Sequence, residues 1–193
     1  MTIGLDRKLL AAVERLGRAW RAARQRQASL HNLSLLAVDI LETLSDGRPR
    51  RVGAIAAELD IAQPTVSDAL TPLDTRGLIR RERDVADRRS TVVTLSKTGR
   101  ALAQRIEAEL APLAADGDPA TTVARGTALR VLLEEIARLR AAGMITISRN
   151  CLTCDHYQPK EPPAGPRCLL LDISLADADL RVNCGDHLEA APA

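Results

Sequence analysis

Apolar positions recur with a helical period through most of the chain. Leu9, Val13, Leu16 and Trp20 share one face of a segment from Leu5 to about Ala28, with Arg and Lys on much of the other face. This predicts an amphipathic helix. Asn32 stands as N-cap of a second helix to about Leu44, striped by Leu33, Leu36, Ile40 and Leu44 and ended by Asp46-Gly47 and Pro49. Val52, Ile55, Ala56 and Leu59 mark a short third helix, after which Asp60 turns the chain. A fourth begins at Pro64, points Val66, Leu70 and Leu73 inward and stops at Gly77.

The period then changes to two. Ile79–Arg83 and Thr91–Leu95 read as strands joined by the polar loop Asp84–Ser90, a β-hairpin with a charged tip. Ser96 caps a fifth helix with Leu102, Ile106, Leu110 and Leu113 on its stripe. Gly117 and Pro119 break the chain between Ala115 and Ala120, and a sixth helix follows from about Thr122 to Ala142 with Leu129, Leu132, Leu133, Ile136 and Leu139. Beyond Gly143, four prolines between Pro159 and Pro166 exclude a long helix.

Helix, short turn, helix and hairpin in that order make a winged helix-turn-helix plan. In it, Gln63, Pro64, Thr65, Ser67 and Thr71 of the fourth helix face the major groove. Gln suits adenine, and Ser and Thr reach bases or phosphates. Arg88 and Arg89 at the hairpin tip suit the minor groove, and Arg51, with Arg48 and Arg50, suits phosphates. The bland alternatives are ion pairing of Arg89 with Asp84 or Asp87, and plain solvation of Ser67 and Thr71. Asp68 repels phosphate and reads as a packing or electrostatic residue.

Composition sharpens this picture. The 193 residues include no Phe, and only Trp20 and Tyr157 are aromatic, which argues against RNA or single-strand modules that stack bases. No apolar run is long enough to span a bilayer, and the N-terminus lacks a signal-peptide core, so a cytoplasmic location is expected. Residues 1–149 hold 24 basic and 18 acidic side chains, whereas residues 150–193 hold 3 and 7. The basic part suits a polyanion and the acidic tail does not.

All four cysteines, Cys151, Cys154, Cys168 and Cys184, lie in that tail as C-x2-C-x13-C-x15-C. Four thiols in a reducing compartment point to metal or redox chemistry rather than disulfides. An iron–sulfur cluster (4Fe–4S or 2Fe–2S) tolerates the irregular spacing and is favoured. A structural zinc lacks the usual second C-x2-C knuckle, and metal-free thiol switching is a third option. His156 and His187 either replace a cysteine or hydrogen-bond the sulfurs. His31 lies outside these clusters. Leu169, Leu170, Leu171, Ile173 and Leu175 are expected to pack the tail against the long helices. No dinucleotide fingerprint, phosphate loop or Ser/His/Asp arrangement suggests an enzyme.

The stretches Val52–Ser67, Leu73–Arg81, Asp84–Ser90 and Val93–Leu102, above all Asp-x-x-Asp-Arg-Arg followed by a strand and Leu-[Ser/Thr]-x-x-Gly, resemble the MarR family of bacterial transcriptional regulators. The resemblance covers roughly residues 5–145. It implies a homodimer on a pseudo-palindromic double-stranded operator, with the first and last helices of the domain at the dimer interface. The expected fold is mainly α with a small β-wing. It comprises an N-terminal dimerisation helix (1–30), a winged helix-turn-helix domain (31–98), C-terminal dimerisation helices (99–145) and a four-cysteine metal-binding extension (146–193). Pro72 departs from the family pattern and predicts a kink or an early 3-10 ending of the fourth helix. The expected function is a redox-, oxygen- or iron-responsive regulator; the alternative is a regulator of small phenolic or lipophilic ligands with a structural zinc in the tail.

Overall fold

In a computed structural model, which describes residues 4–84, 90–114, 121–159 and 165–190, the helices form close to their predicted bounds. The chain divides into two compact units, 1–115 and 116–193. The predicted break at Ala115–Ala120, the side chain of Leu113 and the hairpin tip with Asp87, Arg88 and Arg89 lie outside the described residues.

The first unit contains α1 (Leu5–Leu30), α2 (Leu35–Thr43), β1 (Arg50–Arg51), α3 (Val52–Glu58), α4 (Gln63–Thr75), β2 (Ile79–Arg83), β3 (Thr91–Leu95) and α5 (Lys97–Leu110). Its sheet is antiparallel in the order β1-β3-β2, with Ile79 opposite Leu95 and Arg50 opposite Val93. One core joins Ile40, Leu41 and Leu44 of α2 to Ile55, Val66, Leu70, Leu73, Ile79 and Val93. A second joins Ala23 and Ala28 of α1 to Val38, Ile106 and Leu110. Full burial of each such aliphatic side chain contributes about 1.5–3 kcal/mol. Only the C-terminal part of α1 is used in this way. Leu9, Val13, Leu16 and Trp20 remain exposed.

Two local expectations are corrected. Ser34, not Asn32, caps α2, accepting from the Ala37 N–H at 3.1 Å. Asn32 takes a left-handed φ of 51° after α1, a conformation Asn tolerates better than most residues. Nor does α4 end early at Pro72; it runs on to Thr75. The carbonyl of Asp68, deprived of its donor, lies on an exposed residue that water can reach, while buried Leu70 and Leu73 hold both sides of the proline in place. Pro64 is the second helical residue, after Gln63.

Gly77, at φ 65°, stops α4, and the Leu78 N–H returns to the Leu73 carbonyl at 2.9 Å. The same backbone is tied to the start of α5. Ser96 Oγ donates to the Gly77 carbonyl at 2.6 Å and accepts from the Gly99 N–H at 3.0 Å. Gly99 lies so close to the Leu78 carbonyl that a Cβ would overlap its oxygen.

The second unit contains α6 (Thr122–Ala141) and a tail of short pieces: a 3-10 turn at Cys151–Thr153, β4 (Tyr157–Gln158), β5 (Arg167–Cys168), β6 (Ile173–Ser174) and a 3-10 turn at Asp177–Asp179. The three strands form an antiparallel sheet in chain order. The core is small: Leu133 of α6 packs with Leu175 and Leu180, flanked by Leu129, Ile136, Cys151, Leu152, Tyr157 and Cys168. Here the α6 stripe seats the tail. Of the five tail residues expected to pack on the long helices, only Leu175 is buried. Leu169, Leu170, Leu171 and Ile173 are exposed because the tight β5–β6 turn, with Asp172 at φ 54°, lifts them away from the packed face. Arg130 clamps the arrangement, donating to Asp177 at 2.5 Å and to the Tyr157 hydroxyl at 3.4 Å. Both groups hold the guanidinium more firmly protonated than usual, Tyr157 the more strongly.

Two substitutions test these close approaches. Gly99→Ala should lower the stability of the first unit by about 3 kcal/mol, read as a lower urea midpoint, since backbone must move to admit the methyl. Gly126→Val should cost the second unit about 1–3 kcal/mol, because a Cβ at 126 stands 2.9 Å from the Ala178 nitrogen. Faster alkylation of the tail cysteines would accompany it; unchanged alkylation would show that this close approach does not seat the tail.

Candidate functional site

The fourth helix is positioned as a reading head. Val66, Leu70 and Leu73 are buried, so the opposite face, with Gln63, Pro64, Thr65 and Thr71, is exposed and Ser67 is half-buried. Ala62 precedes the helix and no side chain caps it. The first N–H groups and the positive end of the helix dipole are thus available to an external acceptor. Gln63 lies beside Gly53 at the start of α3, where a Cβ would stand 3.1 Å from its side-chain oxygen. Thr71 Oγ1 donates back to the Ser67 carbonyl at 3.3 Å, leaving its lone pairs outward.

The arginines divide into two groups. Arg51, predicted to meet phosphate, pairs with Asp84 at 2.6 Å and fastens β1 to the base of the wing. Arg50 pairs with Asp46 at 2.6 Å and lies 3.8 Å from Glu58. Arg81 reaches the Ser67 carbonyl and Asp74, linking β2 to α4. Arg76 donates to the His31 and Asn32 carbonyls, and His31 also meets Glu109 at 3.3 Å. The sequence reading overlooked both roles. Arg80 and Arg83 are exposed on β2. Arg83 is a further candidate for the nucleic-acid face, signalled only by its place next to the wing. Arg88 and Arg89, the predicted tip residues, lie outside the described residues.

In the tail, all four cysteines are free thiols and half-buried. Segments far apart in sequence bring Cys151, Cys154, Cys168 and Cys184 to one cavity of about 30 Å³, with His156, Tyr157, Leu170, Leu171, Arg181 and Asp186 also on its wall. Asn150 builds the first corner. Fully buried, it accepts from the Leu152 and Thr153 N–H groups at 2.8 and 3.2 Å and so shapes the turn carrying Cys151 and Cys154. The Asn directly before C-x2-C was its sequence signal. Cys168 pairs with Tyr157 across β4 and β5, and the Cys184 N–H donates to the Arg149 carbonyl at 2.9 Å.

Burial pushes the Cys151 thiol up, opposed by the Arg181 N–H on its sulfur and reinforced by the nearby sulfurs of Cys184, Cys154 and Cys168. His156 borders the cavity. His187 does not: its Nε2 lies 3.1 Å from both Oγ1 and the carbonyl of Thr153, and burial holds it below the usual imidazole range. Among the described residues, no group of three or more His, Cys, Asp or Glu side chains is already closed around a metal position. The thiols share a cavity rather than a finished coordination shell. Four half-buried free thiols, two of them with N–H donors on their sulfurs, are a donor set that suits zinc or an iron–sulfur cluster.

The geometry agrees with known proteins. Residues 31–90 match the profile of the MarR family. A MarR-family transcriptional regulator from Silicibacter pomeroyi superposes with a TM-score of 0.59 at 27% identity, over 72% of this chain and 94% of that one. The regulator BldR from Sulfolobus solfataricus (TM-score 0.53, 24% identity, 72% and 99% covered) shares the fold. So does BpsR of Bordetella bronchiseptica, whose DNA binding is regulated by 6-hydroxynicotinic acid (TM-score 0.53, 24% identity, 68% and 97% covered). No curated protein sequence matches the chain. Among the described residues, no helix is long and apolar enough to cross a membrane. With its exposed α4 and antiparallel wing, the stretch that matches this profile, residues 31–90, has the arrangement of a winged helix and is similar to transcriptional regulators of the MarR family.

Proposed function

We propose that the chain is a dimeric, sequence-specific regulator that reads a pseudo-palindromic double-stranded operator with α4 and the wing, and senses redox, oxygen or iron state through an iron–sulfur cluster on Cys151, Cys154, Cys168 and Cys184. The observation that carries the sensory half is the convergence of four free thiols on one cavity built against α6. Such a cluster supplies an oxidant-sensitive redox couple. The protein's own residues supply the coupling. Cys151 and Cys168 flank Leu133, and Tyr157 on the cavity wall touches Arg130, so a change in how the thiols are held reaches α6 through packing and a hydrogen bond. In the family plan, α6 is a dimerisation helix. The exposed apolar residues of α1 suit the same role on the first unit.

A single zinc is the second reading, since four thiolates also make a complete zinc site. Protein purified without oxygen decides between them. Iron and acid-labile sulfide with broad visible absorption are expected; a colourless protein with one zinc per chain would leave a regulator with a structural metal.

The DNA half has its own test. Gln63→Ala should cost about 1–3 kcal/mol on the preferred duplex and relax one operator position. Replacing Arg88 and Arg89 together by Ala should weaken binding to all duplexes and lower the salt slope by about one for each phosphate no longer neutralised. Titrations at several salt concentrations read both, and a salt-independent affinity would overturn the duplex assignment.

A further inference from the structure

We infer that Arg181 is a positioning residue for the cysteine centre, joining Cys151 to Cys184 and setting a positive charge beside the Cys184 sulfur. This inference rests on the metal-centre reading above. Among the described residues lining the cavity, Arg181 is the only Lys or Arg. Its backbone N–H donates to Cys151 Sγ at 3.2 Å, and its own carbonyl accepts from the Cys151 N–H at 3.1 Å. Its guanidinium reaches Cys184 Sγ at 3.9 Å. One residue therefore touches two sulfurs that are 33 positions apart in the sequence.

The chain at residue 181 is well anchored. Leu180, its neighbour, is buried against Leu133 and Leu175, and the preceding Asp177–Asp179 turn is held on α6 by the Arg130–Asp177 pair. The guanidinium is consequently delivered to the Cys184 sulfur by a fixed backbone. Four thiolates around a divalent ion or an iron–sulfur core carry excess negative charge, which a cation at this range offsets. Asp186, on the same cavity wall, acts in the opposite sense. The Arg181 side chain is largely exposed, so solvent and salt screen part of the effect. Hydrogen-bonding partners of metal ligands of this kind typically change metal affinity about 10-fold or more.

Arg181→Gln and Arg181→Lys separate the charge from the backbone, because every replacement except proline keeps the N–H on Cys151. The probe is cobalt(II) added to the full-length apoprotein under anaerobic conditions, with thiolate-to-cobalt charge-transfer bands reporting the sulfur ligands and competition with a chelator giving affinity. Wild type should show thiolate bands, Arg181→Gln should bind cobalt about 10-fold more weakly, and Arg181→Lys should recover most of the loss. The gap between wild type and Arg181→Gln should also narrow at high ionic strength, which a purely steric role would not produce. Equal affinity of wild type and Arg181→Gln would overturn the role of Arg181 while leaving the metal centre standing. Absence of thiolate bands in wild type would overturn the metal centre itself, and this inference with it.

Discussion

The seating of the tail on Leu133 is the constraint on which the second unit depends. Among the described residues between Asn150 and Ala190 the longest strands have two residues and the helical turns three, so the backbone supplies little order of its own. Among the described residues, only Leu133, Leu175 and Leu180 form a buried apolar core beneath it. A core of that size falls well short of the conformational entropy of ordering so many residues, each costing about 1–2 kcal/mol for backbone alone. Small modules of this type draw their remaining stability from a metal or a cross-link. The cysteines are free thiols, and they sit where such a contribution would act, on the flank of the same three leucine side chains.

The winged helix solves a different problem. Its core is large enough to stand alone, and its arginines are apportioned between framework and surface. Arg50, Arg51, Arg76 and Arg81 hold β1, the wing base, the α1–α2 turn and α4 in register. Exposed pairs of this kind contribute little to stability individually, but they fix orientation. What they orient is the uncapped start of α4, whose free amides and exposed Gln63 and Thr65 face outward without competition from a nearby cap.

Much of the first unit was legible because period and punctuation agreed. The change from a period of 3.6 to 2 located both wing strands, and Gly77 and Ser96 marked the junctions on either side. The Leu-[Ser/Thr]-x-x-Gly motif, at first only a family resemblance, has a physical reading. Ser96 ties α5 to the Gly77 carbonyl, and Gly99 leaves room for the Leu78 backbone. Asn32 and Ser34 show the limit of local rules: both are good caps, and the choice fell to whichever residue α1 did not need for its left-handed exit. The pairing of Arg51 with Asp84 was not legible, since it joins residues 33 apart whose proximity only the sheet register creates. In the tail, spacing alone grouped the cysteines and the Asn before C-x2-C signalled the turn, but nothing in the spacing revealed that Arg181 would shape their surroundings.

The α6 stripe was open to two readings, a dimer interface or intramolecular core, and the structure uses it as core. Leu129, Leu133 and Ile136 suit a dimer interface, yet here they lie beneath the tail. One face of a helix cannot serve two partners at once. With the tail seated, Val123, Val131 and Leu132 of α6 remain exposed. With the tail unseated, Leu133 and its neighbours would be added to that apolar surface. The tail thus competes for the helix face that the family plan assigns to dimerisation. Its order determines which apolar residues α6 offers, and on the proposed reading this is how a chemical event at the thiols would reach a second subunit without any ligand entering the winged helix itself.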